Sequence, residues 1–294
     1  MKKVLLVLLI LVSTFPASTT GMQDSTYPTI SYNNESFPEG LFDKEGISKL
    51  ATEECLIAFD LNDVIFLRDY SVLVTEIKRA MKNRGFRYGA KLATQLLKTT
   101  VCKYYLSYHY AKQIHDARAK VWDYYLESLL QDTRTAQEKE RILLIRIIIQ
   151  KLNVLNTPVI GMVQELQQQR HKIVALTNMG SEFLAIQLKL LKEKLTSQNL
   201  SEIQAARIAT VIELLSNPSN MMPCPENNWC HKPLPEMYAR FFEKNKTHTG
   251  HFIFIDDNDE NLRAALAAGF HIVIKFTNPE ELEEALQALG LLRY

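Results

Sequence analysis

The chain has 294 residues, of which 47% are hydrophobic and 23% charged, and a formal net charge of +1. Aromatic and aliphatic residues run along most of its length, which excludes a disordered chain and supports one or two domains with a sizeable core. The near-neutral balance supplies no global field that would argue for nucleic acid as a partner.

Lys2 and Lys3 precede an apolar run, Val4 to Val12, and a small, polar stretch from Ser13 to Gly21. The run is too short for a transmembrane helix, which needs about 20 residues. It has the layout of a signal peptide, assigned to residues 1–22. The protein is therefore expected to be exported, either periplasmic or secreted, with no membrane span once the signal is cleaved. An uncleaved anchor would need a longer apolar core. Residues 23–52 are mostly polar and carry Pro28, Pro38 and Gly40, so they read as a tether. The cysteines are Cys55, Cys102, Cys224 and Cys230. Cys224 and Cys230 bracket the loop CPENNWC, and in an exported protein they could close a short ring or stay as two thiols.

The first core element is Cys55 to Phe59, a short apolar run ending at Asp60, as in a buried parallel strand. From Tyr70 to about Asn153 the pattern is helical. Val74, Ile77 and Met81 recur at helical intervals, Gly85 and Gly89 mark a turn, and Leu92, Leu96 and Leu97 open a further helix. Trp122, Tyr125, Leu126, Leu129 and Leu130 form another apolar face, and Leu143 to Leu155 reads as a strongly apolar helix. Alternation of helix and strand then takes over. A helix begins at Pro158, and Ile173 to Leu176 is a second strand, ending at Thr177. Helix follows from Ser181 to Leu215, interrupted near Ser197 to Leu200 and broken by Asn217-Pro218. Leu234 to Lys244 is a helix and Phe252 to Ile255 a third strand, ending at Asp256. Leu262 to Ala268 is a helix closed by Gly269, His271 to Ile274 a fourth strand, and Asn278-Pro279 caps a last helix.

Strands alternating with helices predict a parallel sheet covered on both faces, with ligands bound at the carboxyl ends of the strands. Asp60, Thr177 and the pair Asp256-Asp257 all fall at such ends. Asp60 has the chemistry of a nucleophile towards phosphorus or of a metal ligand, though a helix cap or a solvated loop acid would read the same. Adjacent carboxylates at a strand end repel, and a cation relieves that cost; Mg²⁺ takes a few carboxylate oxygens together with water and substrate phosphate. An acidic turn is the plainer alternative. LTNMG offers the Thr177 hydroxyl and the amides from Asn178 onward at the start of a helix, a setting that suits an anion. Lys232, ahead of a rigid Pro-x-Pro, would neutralise transition-state charge if it met the carboxylates; alone it would read as a surface lysine.

In their order these motifs resemble the haloacid dehalogenase-like (HAD) superfamily. The matching stretches are Asp60-Leu61-Asn62-Asp63-Val64-Ile65, Thr177 with Asn178, Lys232-Pro233-Leu234-Pro235, and Asp256-Asp257 with Asn261. The resemblance implies an α/β fold, with a Rossmann-like parallel-sheet core over residues 53–68 and 156–294 and an inserted all-helical cap over 69–155. It implies a Mg²⁺-dependent phosphohydrolase acting on a small phosphorylated substrate. Asp60, Asn62 and Lys232 would be the catalytic positions. Asp60, the backbone carbonyl of Asn62, and Asp256 or Asp257 would hold the ion. Thr177, Asn178 and Lys232 would bind the phosphoryl oxygens. Lys78, Arg79, Lys82, Arg84, Arg87 and Lys91 either greet an anionic substrate or form a solvated basic face.

The chain departs from the pattern at Asn62, where phosphatases of this family carry a second aspartate that protonates the leaving group and activates water. An amide does neither, and such help is worth roughly 10²–10⁴ in rate. Asp63 stands where glycine is usual. Two further readings follow: a catalytically degenerate domain that binds a ligand or partner, and a dehalogenase, against which the Asp256-Asp257 pair speaks because carbon–halogen displacement needs no Mg²⁺ site.

Overall fold

The structure is a computed structural model that describes residues 30–32, 54–69, 71–105, 130–131, 135–196, 199–223 and 230–293. The expected signal peptide, the tether apart from Ile30–Tyr32, the face from Trp122 to Leu129 and Cys224 lie outside these residues. No described helix is long and apolar enough to cross a membrane. In chain order the elements are β1 (Ile30–Tyr32), β2 (Leu56–Phe59), β3 (Phe66–Arg68), α1 (Ser71–Arg84), α2 (Phe86–Tyr105), α3 (Ala136–Lys151) and β4 (Asn153–Leu155). They continue with α4 (Thr157–Gln168), β5 (Lys172–Leu176), α5 (Ser181–Leu195), α6 (Glu202–Ser216), β6 (Met221–Met222), α7 (Pro235–Lys244), β7 (Phe252–Asp256), α8 (Asp259–Ala268), β8 (Ile272–Lys275) and α9 (Pro279–Ala288). The chain divides into two compact units: one takes in residues 68–154, the other 24–67 and 155–294.

The larger unit is built on a sheet of order β1-β8-β7-β2-β5-β6. From β8 to β6 every pairing is parallel. Side chains alternate along β2. Ile57 and Phe59 join one core with Val159, Val163, Ile208 and Leu286, while Leu56 and Ala58 join the other with Tyr238, Phe241 and Phe270. Burial on both faces explains why the strands read as continuous apolar runs rather than alternating ones. The predicted α/β, Rossmann-like parallel core is thus observed.

The short pairings differ from the sequence-based expectation. Ile30–Tyr32, within the segment read as tether, adds to the sheet as an antiparallel edge strand beside β8. The apolar run expected to stay helical to Leu155 stops at Lys151, and Asn153–Leu155 pairs with β3 instead. β6 is only Met221–Met222. Pieces of two or three residues carry no measurable periodicity, so only the open edge of a neighbouring strand defines them.

In the smaller unit, Gly85 takes φ +88°, a conformation that favours glycine, and ends α1. Gly89 is not part of that turn. It lies inside α2, and a Cβ there would come within 2.2 Å of Met81 Cγ, so its missing side chain lets the two helices approach. Leu73, Ile77, Leu92, Leu96, Ile145 and Ile148 are buried. Within the basic cluster, Arg79 bonds Glu76 at 2.6 Å and Arg84 pairs with Glu140, which fits a face neutralised locally.

A histidine stands directly before each of β5, β7 and β8: His171, His251 and His271. Two of these rings accept a hydrogen bond from the backbone of a neighbouring strand start. Cys55 N–H donates to His171 Nδ1 at 3.2 Å, and Phe252 N–H to His271 Nδ1 at 2.9 Å. Only a ring without a proton on Nδ1 can accept in this way. Burial lowers the pKa of both rings; Glu54 partly opposes this at His171, and His251 and His248 reinforce it at His271.

A folded-state pKa below the unfolded one makes a group's stabilising contribution present at high pH. That contribution is lost as pH falls through about 6.5 towards the depressed value. The urea midpoint of the metal-free protein should therefore fall less steeply between pH 7.5 and 5.5 in a His171→Gln, His271→Gln double variant than in the wild type. Equal slopes would remove these rings from the account.

Candidate active site

The register of β2 aligns Phe59 with Ala175 of β5 and with Ile255 of β7, and Asp60 N–H donates to Ile255 O at 2.9 Å. Asp60, Thr177 and Asp256 therefore leave the sheet at one rim. Asp60 is 7% exposed, and Thr177 and Asp256 are fully buried.

Lys232 joins two of these strand ends. Its Nζ lies 2.9 Å from Asp60 Oδ1 and 2.6 Å from Asp256 Oδ2, and the side chain is 1% exposed. Burial alone would discharge this lysine, but the carboxylates of Asp256 and Asp60 outweigh it and raise its pKa, so it is an ammonium. Asp60 Oδ1 also accepts the Leu61 N–H at 2.8 Å. No donor among the described residues reaches Oδ2. Burial pushes the Asp60 carboxyl up to about 7; Lys232 opposes that, and Asp256 and Asp257 add to it.

Asp256 is saturated. Its Oδ1 accepts Asn258 N–H at 2.8 Å and Asn261 Nδ2 at 3.0 Å, while Oδ2 accepts Asn261 Nδ2 at 3.0 Å as well as the ammonium. At Asp257, burial, Asp256 and Asp63 push the carboxyl up to about 6, against the opposing pull of Lys232 and of a backbone hydrogen bond. Asp60, Asp256 and Asp257 each offer an oxygen within 4.8 Å of the others. Two carboxyls held above their ordinary range by burial and like charge, at a cluster of hard oxygen donors, fit a divalent cation such as Mg²⁺.

The remaining expected residues are placed as follows. Thr177 Oγ1 accepts Met179 N–H at 3.1 Å, which leaves its own hydrogen to donate. Gly180 caps the N-terminus of α5 immediately beyond. The Asn178 amide reaches the backbone of Lys232, accepting its N–H at 2.7 Å and donating to its C=O at 3.0 Å. Asn62 lies in the turn after Asp60 and bridges to Phe66. Asp63 adopts φ +60°, the left-handed region that glycine enters freely.

Tyr238 was not singled out from the sequence. It is fully buried in α7, and its hydroxyl donates to Asn261 O at 2.8 Å, backing the residue that holds Asp256. Its place six residues after Lys232, on the inward face of the next helix, was the available signal.

No family model and no curated protein matches the sequence. Solved structures do. The putative HAD-hydrolase YfnB from Bacillus subtilis, bound to magnesium, is 14% identical over 81% of this chain and 99% of its own, with a TM-score of 0.50. A HAD family enzyme from Bacteroides thetaiotaomicron, an Asp-to-Ala mutant in complex with magnesium and inorganic phosphate, is 10% identical over 76% and 95%, at 0.41. An L-2-haloacid dehalogenase from Xanthobacter autotrophicus with chloropropionic acid covalently bound is 14% identical over 82% and 85%, at 0.45. At such identities likeness speaks for architecture alone. With the parallel order of the sheet and its match to the Bacillus subtilis structure, the chain has a HAD-like α/β fold.

Proposed function

We propose that the protein is a Mg²⁺-dependent phosphohydrolase that acts on a small phosphorylated molecule through an aspartyl-phosphate on Asp60. The observation that carries this reading is the state of the Asp60 carboxylate. One oxygen is fixed by the Leu61 N–H and Lys232, and the other meets no donor among the described residues, beside two further carboxylates. A nucleophile needs that combination of fixed orientation and an available lone pair.

Asp60 and Asp257 would hold the ion, together with the Asn62 backbone carbonyl that the resemblance implies. Asp256 is spoken for by Lys232, Asn261 and the Asn258 N–H, so it anchors the ammonium instead. Bound Mg²⁺ supplies positive charge that orients the phosphoryl group and favours the ionised form of Asp60. The protein's own groups do the rest. Asp60 Oδ2 attacks phosphorus, and the leaving oxygen departs with the bonding pair. Lys232 and the Thr177 hydroxyl hold phosphoryl oxygens, and the backbone amides at the start of α5 face the same charge. Water then cleaves the aspartyl-phosphate. Asn62 can neither protonate the leaving group nor deprotonate that water, so substrates with good leaving groups, aryl or acyl phosphates, are favoured.

Dehalogenation is the weaker reading because it gives Asp257 nothing to do. A binding module without turnover would share the same cation site and is separated from an enzyme only by rate.

The purified protein should hydrolyse an aryl phosphate with Mg²⁺, and Asp60→Asn should abolish the activity; equal rates for the two proteins would defeat the proposal. Asn62→Asp should raise the rate on alkyl phosphates at least about tenfold, given the usual worth of an acid–base group. No gain would mean that Asn62 does not limit turnover. In a thermal melt, millimolar Mg²⁺ should raise the wild-type midpoint and leave that of Asp257→Asn nearly unmoved. An equal shift in both would take Asp257 out of the ion's coordination.

A further inference from the structure

Lys232 can sit between two carboxylates only if its backbone is held still, since an ammonium on a four-carbon stem has many rotamers of similar energy. Its main chain belongs to no strand or helix. What holds it is a side chain that lies 54 residues away in sequence. Asn178 Oδ1 accepts the Lys232 N–H at 2.7 Å, and Asn178 Nδ2 donates to the Lys232 C=O at 3.0 Å. One amide thus satisfies both backbone groups of the lysine, as a neighbouring strand would. His231 Nδ1 meets the same carbonyl at 2.6 Å. Asn178 itself follows Thr177 directly at the end of β5, and β5 is laddered to β2, which ends at Asp60. The path from Asn178 to the nucleophile therefore runs through paired strands, while the path along the chain from Asp256 back to Lys232 runs through α7 and the loop after it.

We propose that Asn178 is a positioning residue: its side-chain amide fastens the Lys232 backbone to the end of β5 and so sets the ammonium between Asp60 and Asp256. The catalytic part of this rests on the phosphohydrolase reading above. The structural part does not. A direct phosphate ligand would keep its amide turned towards the substrate; here Oδ1 and one Nδ2 hydrogen are already engaged with Lys232.

The test combines Asn178→Ala, Lys232→Ala and the double variant, with Asn178→Asp as a near-isosteric companion that keeps the acceptor if the alanine protein does not fold. On an aryl phosphate, Asn178→Ala should lower kcat about 10- to 100-fold, as a small misplacement of a reacting group does. KM and the inhibition constant of inorganic phosphate should change less than about threefold. In the Lys232→Ala background the same change should cost nothing more, because groups acting as one unit are not additive. A raised KM with weaker phosphate inhibition would make Asn178 a substrate ligand, and a full additional loss in the double variant would uncouple it from Lys232; either overturns the proposal.

A second readout needs no turnover. In protein labelled with [¹⁵N]lysine, the buried ammonium of Lys232 should give a protected Nζ signal, identified by its loss in Lys232→Ala. That signal should broaden or vanish in Asn178→Ala and in Asn178→Asp. If it persists unchanged in both, the clamp does not position the lysine. If wild type hydrolyses nothing while the signal behaves as expected, the clamp stands and the phosphohydrolase reading falls.

Discussion

One buried ammonium organises this molecule's chemistry. Lys232 is 1% exposed and lies within 3 Å of two carboxylates from different strands. Stranding any member of such a trio without its partners in a low-dielectric interior is strongly destabilising, so the geometry of all three is tightly coupled. The supporting bonds fit that requirement. Asn261 and the Asn258 N–H fill Asp256, Tyr238 backs Asn261, the Leu61 N–H fixes Asp60, and Asn178 holds the lysine main chain. Each of these partners comes from the end of a strand, the start of a helix, or the turn between them, where a parallel sheet leaves backbone groups unpaired.

The charge count at this rim suits a cation. Asp60, Asp256 and Asp257 face a single ammonium, and Asp63 adds to the field at Asp257. Burial and the neighbouring carboxylates raise both Asp60 and Asp257, against the pull of Lys232. The same arithmetic separates the acidic pair. Asp256 is buried against the ammonium and its amide donors, whereas Asp257 is only partly buried.

Much of this was legible in the sequence because buried parallel strands leave an unmistakable trace. Leu56–Phe59, Lys172–Leu176 and Phe252–Asp256 are short apolar runs that stop at a polar residue, and that residue lands at the rim. The order of the motifs then brought in Lys232, which no local pattern would have raised above a surface lysine. What stayed hidden was of two kinds. Pairings of two or three residues, such as Ile30–Tyr32 and Met221–Met222, are set by a neighbour's open edge rather than by their own periodicity. Contacts between residues far apart in sequence were the other kind. Gly89 read as part of a turn because glycine most often marks one, yet it serves a close helix approach at Met81. Asn178 was expected to bind phosphoryl oxygens, and nothing in the sequence signalled that its side-chain amide also holds the lysine backbone.

Asp63 has a cost of its own. A non-glycine residue at φ +60° sits about 1–2 kcal/mol above its relaxed backbone, and aspartate and asparagine bear this better than most. Its N–H is used by Phe66 O at 2.7 Å, so the turn cannot simply relax. Position 63 therefore couples foldability to surface potential. Glycine there would ease the backbone and at the same time thin the negative field over Asp257. In glycine alone the two effects part, relief of the backbone against loss of a charge, whereas a bulkier neutral side chain would forfeit both.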